Sequence, residues 1–229
     1  MTVIRNDSPT LGTADGQSRD VLSHAPVGRP MTDGTVRNRL RRIGTWCGLA
    51  APAIGLGTVL LATLLAPWFS WTGNALSDLG DPARATAPLF NWGQGVAGLL
   101  ALAFAARLWS DAAGWLRRGA LAVLAAAFVS LVGVGVFPTP TDLHVPVSVS
   151  FFVTLTYGLW LYGSAEALDG APGRGVAIIW LGVGNVTAWV AYAALAPFDG
   201  VAIPEIVGAV ALAAWAVPTA LRLRRGDSG

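Results

Sequence analysis

The chain has 229 residues, of which 54% are hydrophobic and only 12% are charged. Soluble domains carry about 25% charged residues, so this chain has roughly half the charged surface that a water-soluble fold requires. The single cysteine, Cys47, excludes an internal disulfide, and a formal net charge of +2 argues against a nucleic-acid partner. The composition predicts a protein that lies in a membrane.

The first segment, residues 1–36, is rich in Thr, Ser, Asp, Gly and Pro and has no apolar periodicity. Such a segment buries too little apolar surface to offset the entropy lost on ordering, so we predict a disordered cytoplasmic tail. It also lacks the apolar core of a signal peptide. The membrane domain is predicted to occupy residues 37–225, and residues 226–229 to form a C-terminal tail.

Six apolar stretches follow the tail. A helix needs about 20 apolar residues to cross roughly 30 Å of hydrocarbon, and six stretches meet that requirement. The sequence therefore predicts an all-α fold, a polytopic transmembrane helical bundle with spans at residues 44–66, 89–109, 117–137, 145–164, 175–196 and 203–221. Gly and Ala are frequent within these spans, which favours close helix packing in lipid.

The arginines predict the orientation, because arginine favours the cytoplasmic side of short loops. With six spans, Arg84 lies alone on one side of the membrane. The other side holds Arg37, Arg39, Arg41, Arg42, Arg107, Arg117, Arg118, Arg174, Arg222, Arg224 and Arg225. We therefore predict a multi-pass protein of the cell membrane with both termini in the cytoplasm.

The three loops on the predicted outer side carry most side chains that could support chemistry. They read APWFSWTGNALSDLGDPARATAP, FPTPTDLHVP and APFDGVAIPE. Carboxylates and imidazole are metal ligands, so a bound metal ion is one interpretation, with candidate ligands Asp78, Asp142, His144, Asp199 and Glu205. No pair of them has the spacing of a known metal motif, so no cofactor is predicted. The exclusion of arginine from the outer side also explains the acidic loops.

The first of these loops contains the segment NALSDLG. Ser77 or Asn74 is predicted to cap a short helix there, with Asp78 close to the helix N-terminus. Asp78 and His144 are also candidate catalytic residues, because together with Ser77 they contain the residue types of nucleophilic catalysis. The set lacks the strand–turn–helix context of a nucleophile elbow, which weakens that interpretation.

The segments NALSDLG and LFNWGQGVAG resemble the uncharacterised membrane family known as domain of unknown function 998. Its members have about six spans, a Ser-Asp-x-Gly loop, an Asn-Gly opening to the second span and a Phe-Pro…His segment. The motif positions in this chain are Asn74, Ser77, Asp78, Gly80, Phe90, Asn91, Gly93, Phe137, Pro138 and His144. The resemblance covers about residues 43–222 and implies the architecture without implying an activity. The same loop is distantly similar to the Frag1/DRAM/Sfk1 membrane proteins, which implies a link to lipid remodelling.

Three functions fit these observations. The spans are neutral and no residues have the spacing of a known catalytic motif, which favours a non-enzymatic bundle with a lipid-binding, sensing or scaffold role and an ordered acidic outer cap. Its predicted partner is membrane lipid, and the sequence predicts no particular protein partner. The second is an enzyme acting on a lipid or lipid-linked substrate at the outer interface, through Asp78, Asp142, His144 and Glu205. The third is a small transporter, whose polar pathway would use Asn91, Gln94, Thr154, Tyr157 and Asn185.

Overall fold

The computed structural model describes residues 32–195 and 199–226, which form six α-helices, one short 3₁₀ helix and no strand. The α-helices are α1 (Thr32–Leu65), α2 (Ala87–Trp109), α3 (Trp115–Val136), α4 (His144–Leu168), α5 (Pro172–Leu195) and α6 (Ala202–Gly226). The 3₁₀ helix, Leu76–Gly80, lies between α1 and α2. All six α-helices are long and apolar enough to cross a membrane, which confirms the predicted all-α bundle of six spans.

The helices extend past several predicted span ends. The helix α1 begins at Thr32 rather than at residue 44, and α6 continues to Gly226 rather than ending at residue 221. Hydropathy marks only the part of a helix that is apolar, whereas arginine is a good helix former and continues the same helix beyond it. Residues 32–36 of the predicted tail therefore belong to α1, while residues 1–31 and 227–229 lie outside the described residues.

The six α-helices pack in a closed ring. Each helix packs against its neighbours in sequence, and α1 also packs against α6. Short connections make consecutive helices antiparallel. The start of α1, the α2–α3 and α4–α5 connections and the end of α6 meet at one end of the bundle, where Arg41 binds Asp111 and Arg117 binds Glu166. We call this end the basic end.

An aromatic core fills the half of the bundle nearer the basic end. Trp215 of α6 is 1% exposed and lies on the ring axis. Its ring contacts Phe104 of α2, Phe128 of α3 and Tyr162 of α4 at centroid distances of 5.8, 6.3 and 5.4 Å. One tryptophan therefore connects four helices through apolar contact.

Small residues set the closest approaches between helices. A side chain at Gly93 of α2 would lie 2.6 Å from Cβ of Thr58 in α1. A side chain at Gly135 of α3 would lie 2.7 Å from the backbone nitrogen of Gly95 in α2. Both helix pairs therefore approach to a distance that only glycine allows, as the small-residue content of the spans predicts.

The outer surface of the bundle is apolar. Large hydrophobic side chains are exposed on every α-helix, including Leu64, Trp92, Val129, Val149, Trp180 and Val210. A water-soluble protein exposes apolar patches of only a few hundred Å². A ring of helices with such faces has lipid as its natural surroundings.

Candidate functional site

Residues 66–86, which connect α1 and α2, fold over the end of the bundle opposite the basic end. We call them the cap segment, and this end the cap end. The 3₁₀ helix inserts Leu76 and Leu79 into an apolar cluster with Val59 and Phe90. Both leucines are buried, and burying one leucine contributes about 1.5–3 kcal/mol. The cap segment is therefore packed onto the bundle by apolar contact as well as by hydrogen bonds.

Asp78 fixes the start of the 3₁₀ helix. Its Oδ2 accepts hydrogen bonds from the backbone N–H of Ala75 and from the side-chain amide of Asn74, both at 3.0 Å. The short helix forms as the sequence predicts, but the capping residue differs. The residue before the helix is Ala75, because the helix begins at Leu76 and Ser77 already lies inside its first turn.

Two side chains attach the cap segment to α2. The Thr86 hydroxyl donates a hydrogen bond to the carbonyl of Leu79, and the Asn91 amide donates to the carbonyl of Gly80, both at 2.8 Å. A side chain at Gly80 would overlap Oδ1 of Asn91 and lie 2.8 Å from the ring of Phe90. Thr86 and the motif residues Gly80, Phe90 and Asn91 therefore position the cap segment.

The first turn of α6 also contacts the cap segment. The backbone N–H of Ala202 donates to the carbonyl of Asn74 at 3.0 Å. Glu205, in the first turn of α6, accepts a hydrogen bond from the backbone N–H of Leu76 at 2.5 Å and is 8% exposed. In the part of the chain that the structure describes, no arginine or histidine pairs with this carboxyl group. Glu205 is therefore buried without a cationic partner from those residues.

His144 joins the end of α3 to the start of α4. Its Nδ1 lies 2.8 Å from the carbonyl oxygen of Phe137, which can only accept, so Nδ1 carries the proton. The Nε2 atom lies 3.3 Å from the hydroxyl oxygen of Ser148, within hydrogen-bond distance. Next to it, the carbonyl of Pro138 accepts from both the backbone N–H and the hydroxyl of Thr141. These motif residues hold the α3–α4 turn.

The candidate metal ligands do not converge among residues 32–195 and 199–226. No group of three or more His, Cys, Asp or Glu side chains there has the arrangement that a metal ion requires. Asp142 and Asp199 are exposed. Asp78 and His144, the candidate catalytic pair, bind different backbone groups and share no hydrogen bond. The described residues therefore do not fit a metal site or a Ser77–Asp78–His144 set.

Glu205 lies between two pockets in the half of the bundle nearer the cap end. One is a cavity of about 70 Å³ behind the cap segment, with Ser77, Gln94 and Ser148 among its polar lining residues. The other is a groove of about 410 Å³ between α4 and α5. Glu205 and Ser148 line both. The groove has the size of a small-molecule site, roughly 300–1,000 Å³.

Apolar side chains form the walls of the groove, and polar groups lie at its base. Val153, Tyr157 and Val190 are about half exposed along its sides. At its base, the Asn185 amide donates to the Thr156 hydroxyl at 2.8 Å and to a backbone carbonyl of α4 at 3.2 Å. The groove therefore combines an apolar channel with hydrogen-bonding groups.

Three buried polar atoms of groove-lining residues have no hydrogen-bond partner in the described part of the chain. They are Oδ1 of Asn185, Nε1 of Trp160 and Nε1 of Trp189. Leaving a buried polar atom unpaired costs about 1–3 kcal/mol, so such atoms usually mark a missing partner. Here, however, Nε1 of Trp160 packs against Gly182 and Oδ1 of Asn185 packs against Gly208, so neighbouring helices rather than the open groove cover these two atoms.

Sequence reasoning found most of these residues but missed how they are arranged. Glu205 is a predicted candidate as a metal ligand, whereas the structure places it on the backbone of the cap segment. Asn185 is predicted only as part of a transport path. Nothing in the sequence indicates that α4 and α5 leave a groove between them. A glutamate at the start of an apolar span is the one signal that points to this site.

Asp78→Ala is expected to loosen the cap segment. The change removes the acceptor for the Ala75 N–H and the Asn74 amide, and an unpaired buried donor costs about 1–3 kcal/mol. Amide hydrogen exchange over residues 73–80 should become about tenfold to hundredfold faster. Asp142→Ala, at an exposed position, should leave these rates unchanged. Equal rates in the two variants would contradict this role of Asp78.

A comparison with known families places most of the chain in one family. The family described as "Protein of unknown function (DUF998)" matches residues 49–222, which include the whole cap segment and most of the six helices. No curated protein and no solved structure matches the chain, and the similarity to the Frag1/DRAM/Sfk1 proteins stays a prediction. The chain is a multi-pass integral membrane protein and belongs to the DUF998 family.

Proposed function

We propose that the protein binds a lipid-like amphiphile in the groove between α4 and α5, without transforming it. The single observation that carries this proposal is the position of Glu205, a buried carboxyl group at the junction of an apolar groove and an internal cavity. We further propose that the basic end faces the cytoplasm of the cell membrane, which places the cap end and the groove toward the outer leaflet.

The groove fits the apolar part of an amphiphile. Its sides are formed by Val149, Val153, Val186 and Val190. Val149, Val153 and Val190 are exposed where lipid would surround the bundle. An acyl chain could therefore enter sideways from the membrane and exchange bulk lipid contacts for contacts with these side chains and the aromatic rings beside them.

The polar groups fit a head group that donates hydrogen bonds. The Glu205 carboxyl group lines the groove, and its oxygen atoms accept hydrogen bonds. A hydrogen bond to a charged group contributes about 1.5–3 kcal/mol. An amine or hydroxyl head group would supply a donor to Glu205 in addition to the backbone N–H of Leu76.

The polar residues suggested for a transport path support binding rather than passage. Gln94 lines the cavity, whereas Tyr157 and Asn185 line the groove. Asn91 binds the carbonyl of Gly80 in the cap segment, and the Thr154 hydroxyl donates to a backbone carbonyl within α4. The cavity and the groove meet at Glu205, but Asn91 and Thr154 line neither of them, so the five side chains do not form one path across the bundle.

Val153→Trp is expected to block the groove. The test uses the full chain in detergent micelles and a single-chain amine with a photoactivatable group in its alkyl chain. Labelling should map to α4 and α5 near Val149 and Val190, and Val153→Trp should reduce it about tenfold by filling the groove. An alkyl carboxylate of equal chain length should label less than the amine, because a carboxylate offers Glu205 no hydrogen-bond donor.

Val129→Trp is the matched control. Val129 is 59% exposed on α3, compared with 47% for Val153, and it does not line the groove. The control variant should label like the unmodified protein. Labelling spread evenly over all six helices, or lost equally in both variants, would refute a specific site between α4 and α5.

A further inference from the structure

A second recess lies at the basic end, among the ends of α1, α2, α3, α4 and α6. It has a volume of about 450 Å³, and we call it the vestibule. The order of residues along α6 separates it from the cavity at the cap end. Leu212 lines the cavity, Trp215 fills the aromatic core, and Thr219 and Arg222 line the vestibule. The vestibule is therefore distinct from the site proposed above.

The lining of the vestibule carries excess positive charge. Its charged residues are four arginines and two carboxylates, namely Arg41, Arg107, Arg117, Arg222, Asp111 and Glu166. Counted over the lining alone, these groups have a formal charge of +2, and Asp169, outside the lining, also pairs with Arg117. A concave surface with a net positive charge attracts anions.

Both carboxylates are already shared. Asp111 binds Arg41 at 2.8 Å and also binds Arg107, whose side chain is 2% exposed. Glu166 accepts hydrogen bonds from Arg117 and, outside the vestibule lining, from an arginine of α5, both at 3.0 Å. Neither carboxylate therefore has spare capacity to neutralise a further cation.

Arg222 is the remaining cation. Its guanidinium group donates a hydrogen bond to the Thr219 hydroxyl at 3.1 Å. Within residues 32–195 and 199–226, no carboxylate pairs with Arg222. Thr219 in turn donates to the carbonyl of Trp215 at 2.7 Å, so the side chain that orients Arg222 is itself fixed.

A phosphate group matches this lining in charge and geometry. It carries a charge of about −1.5 to −2 when it is a monoester near neutral pH. The planar guanidinium fork binds phosphate oxygens in pairs, and several arginines around one recess can do so together. A recess in which the Arg222 guanidinium group has no carboxylate partner among the described residues gains more from such an anion than from water.

We propose that the vestibule binds an anionic phosphate group, with Arg222 as its principal ligand. The group can come from two sources: the head group of an anionic phospholipid, or a free phosphate compound. Arg41, Arg107 and Arg117 supply the surrounding positive field, while Asp111 and Glu166 hold those three side chains in place.

The test measures thermal unfolding of the full chain in a neutral, phosphate-free detergent. Inorganic pyrophosphate is titrated in one arm. Short-chain phosphatidylglycerol is titrated in the other, with phosphatidylcholine of equal chain length as reference. Either anionic probe should raise the unfolding midpoint. A response to pyrophosphate assigns the free source, and a response only to phosphatidylglycerol assigns the lipid head group.

Arg222→Gln should weaken the apparent affinity for the active probe about tenfold, and Arg222→Lys by a smaller factor, because lysine keeps the charge but loses the fork. Arg225→Gln makes the same change in charge at an exposed position of α6, and its effect on the apparent affinity should stay below about twofold.

The unfolding midpoint of each variant without ligand reports whether that variant is folded. If Arg222→Gln is not folded, Arg222→Lys replaces it in the comparison. The proposal is overturned if neither probe stabilises the protein, or if Arg225→Gln weakens binding as much as Arg222→Gln.

Discussion

Gly135→Ala should destabilise the protein by about 2 kcal/mol, because α2 and α3 touch at this position. The added methyl group would overlap the carbonyl oxygen of Asn91 and lie 2.7 Å from the backbone nitrogen of Gly95. Both neighbours are backbone atoms, so no side-chain rotation can relieve the overlap. The midpoint of thermal unfolding, followed by tryptophan fluorescence, should fall by roughly 4–8 °C.

Gly184→Ala is the matched control, since it makes the same change inside α5. Nothing lies within 4 Å of a side chain added at Gly184. Alanine is favoured over glycine inside a helix by about 0.8–1.0 kcal/mol, so this variant should unfold at the same or a higher temperature. A Gly135→Ala protein that melts like Gly184→Ala would mean that α2 and α3 are farther apart than described.

The contact at Gly135 also matters for the cap segment. Asn91, whose carbonyl Gly135 approaches, donates its side-chain amide to the carbonyl of Gly80. Two residues later on α2, Gly93 packs against Thr58 of α1. Displacing α2 by even a few tenths of an ångström would therefore disturb both contacts. We expect faster hydrogen exchange over residues 73–80 in Gly135→Ala as a secondary effect.

The helices could be predicted from the sequence because their signal is local. Each span contains its own run of apolar residues, and lipid requires every backbone polar group to be paired within such a segment. The errors occur at the ends. The helix α1 begins at Thr32, well before its apolar run, because helix propensity continues where hydropathy stops.

The candidate site could be predicted only in part, because it depends on contacts between distant residues. Glu205 reaches the N–H of Leu76, 129 positions away in the chain. A single sequence shows that an acidic residue starts the sixth span, but not which loop folds over it. Charge patterns indicate the side of the membrane rather than the direction of a side chain. Asp142 and Asp199 therefore fit the predicted outer side while lying exposed, away from the buried Glu205.

Asp111→Asn should have the other large effect, a loss of about 2 kcal/mol in stability. Asp111 lies in the α2–α3 connection and binds both Arg41 and the buried Arg107. Removing one partner of a fully buried ion pair costs roughly 3–5 kcal/mol. Asp111 itself is 35% exposed, so solvent screens part of that loss. The measurement is again the free energy or midpoint of unfolding, at neutral pH and low salt.

Asp169→Asn is the matched control for this change. Asp169 also binds an arginine at the basic end, but it is 57% exposed, and its partner Arg117 keeps Glu166. The loss in this variant should stay below about 1 kcal/mol. Equal losses of unfolding free energy in the two variants would mean that the contribution of Asp111 to stability does not depend on the burial of its partner Arg107.

The pH dependence of the stability shows whether Asp111 acts through its charge or through the packing of its side chain. Burial acts to raise the pKa of Asp111, but hydrogen bonds and charge from Arg107 and Arg41 outweigh it and hold the pKa below its usual range. A carboxyl group whose pKa is lower in the folded state than in the unfolded state stabilises the fold at pH values above its unfolded pKa, about 3.9. That stabilisation is lost as the pH falls through the pKa of the folded state. The stability difference between the unmodified protein and Asp111→Asn should therefore be constant between about pH 5 and 7 and shrink below about pH 3.9. A difference that persists undiminished at lower pH would assign the effect to packing at position 111 rather than to its charge.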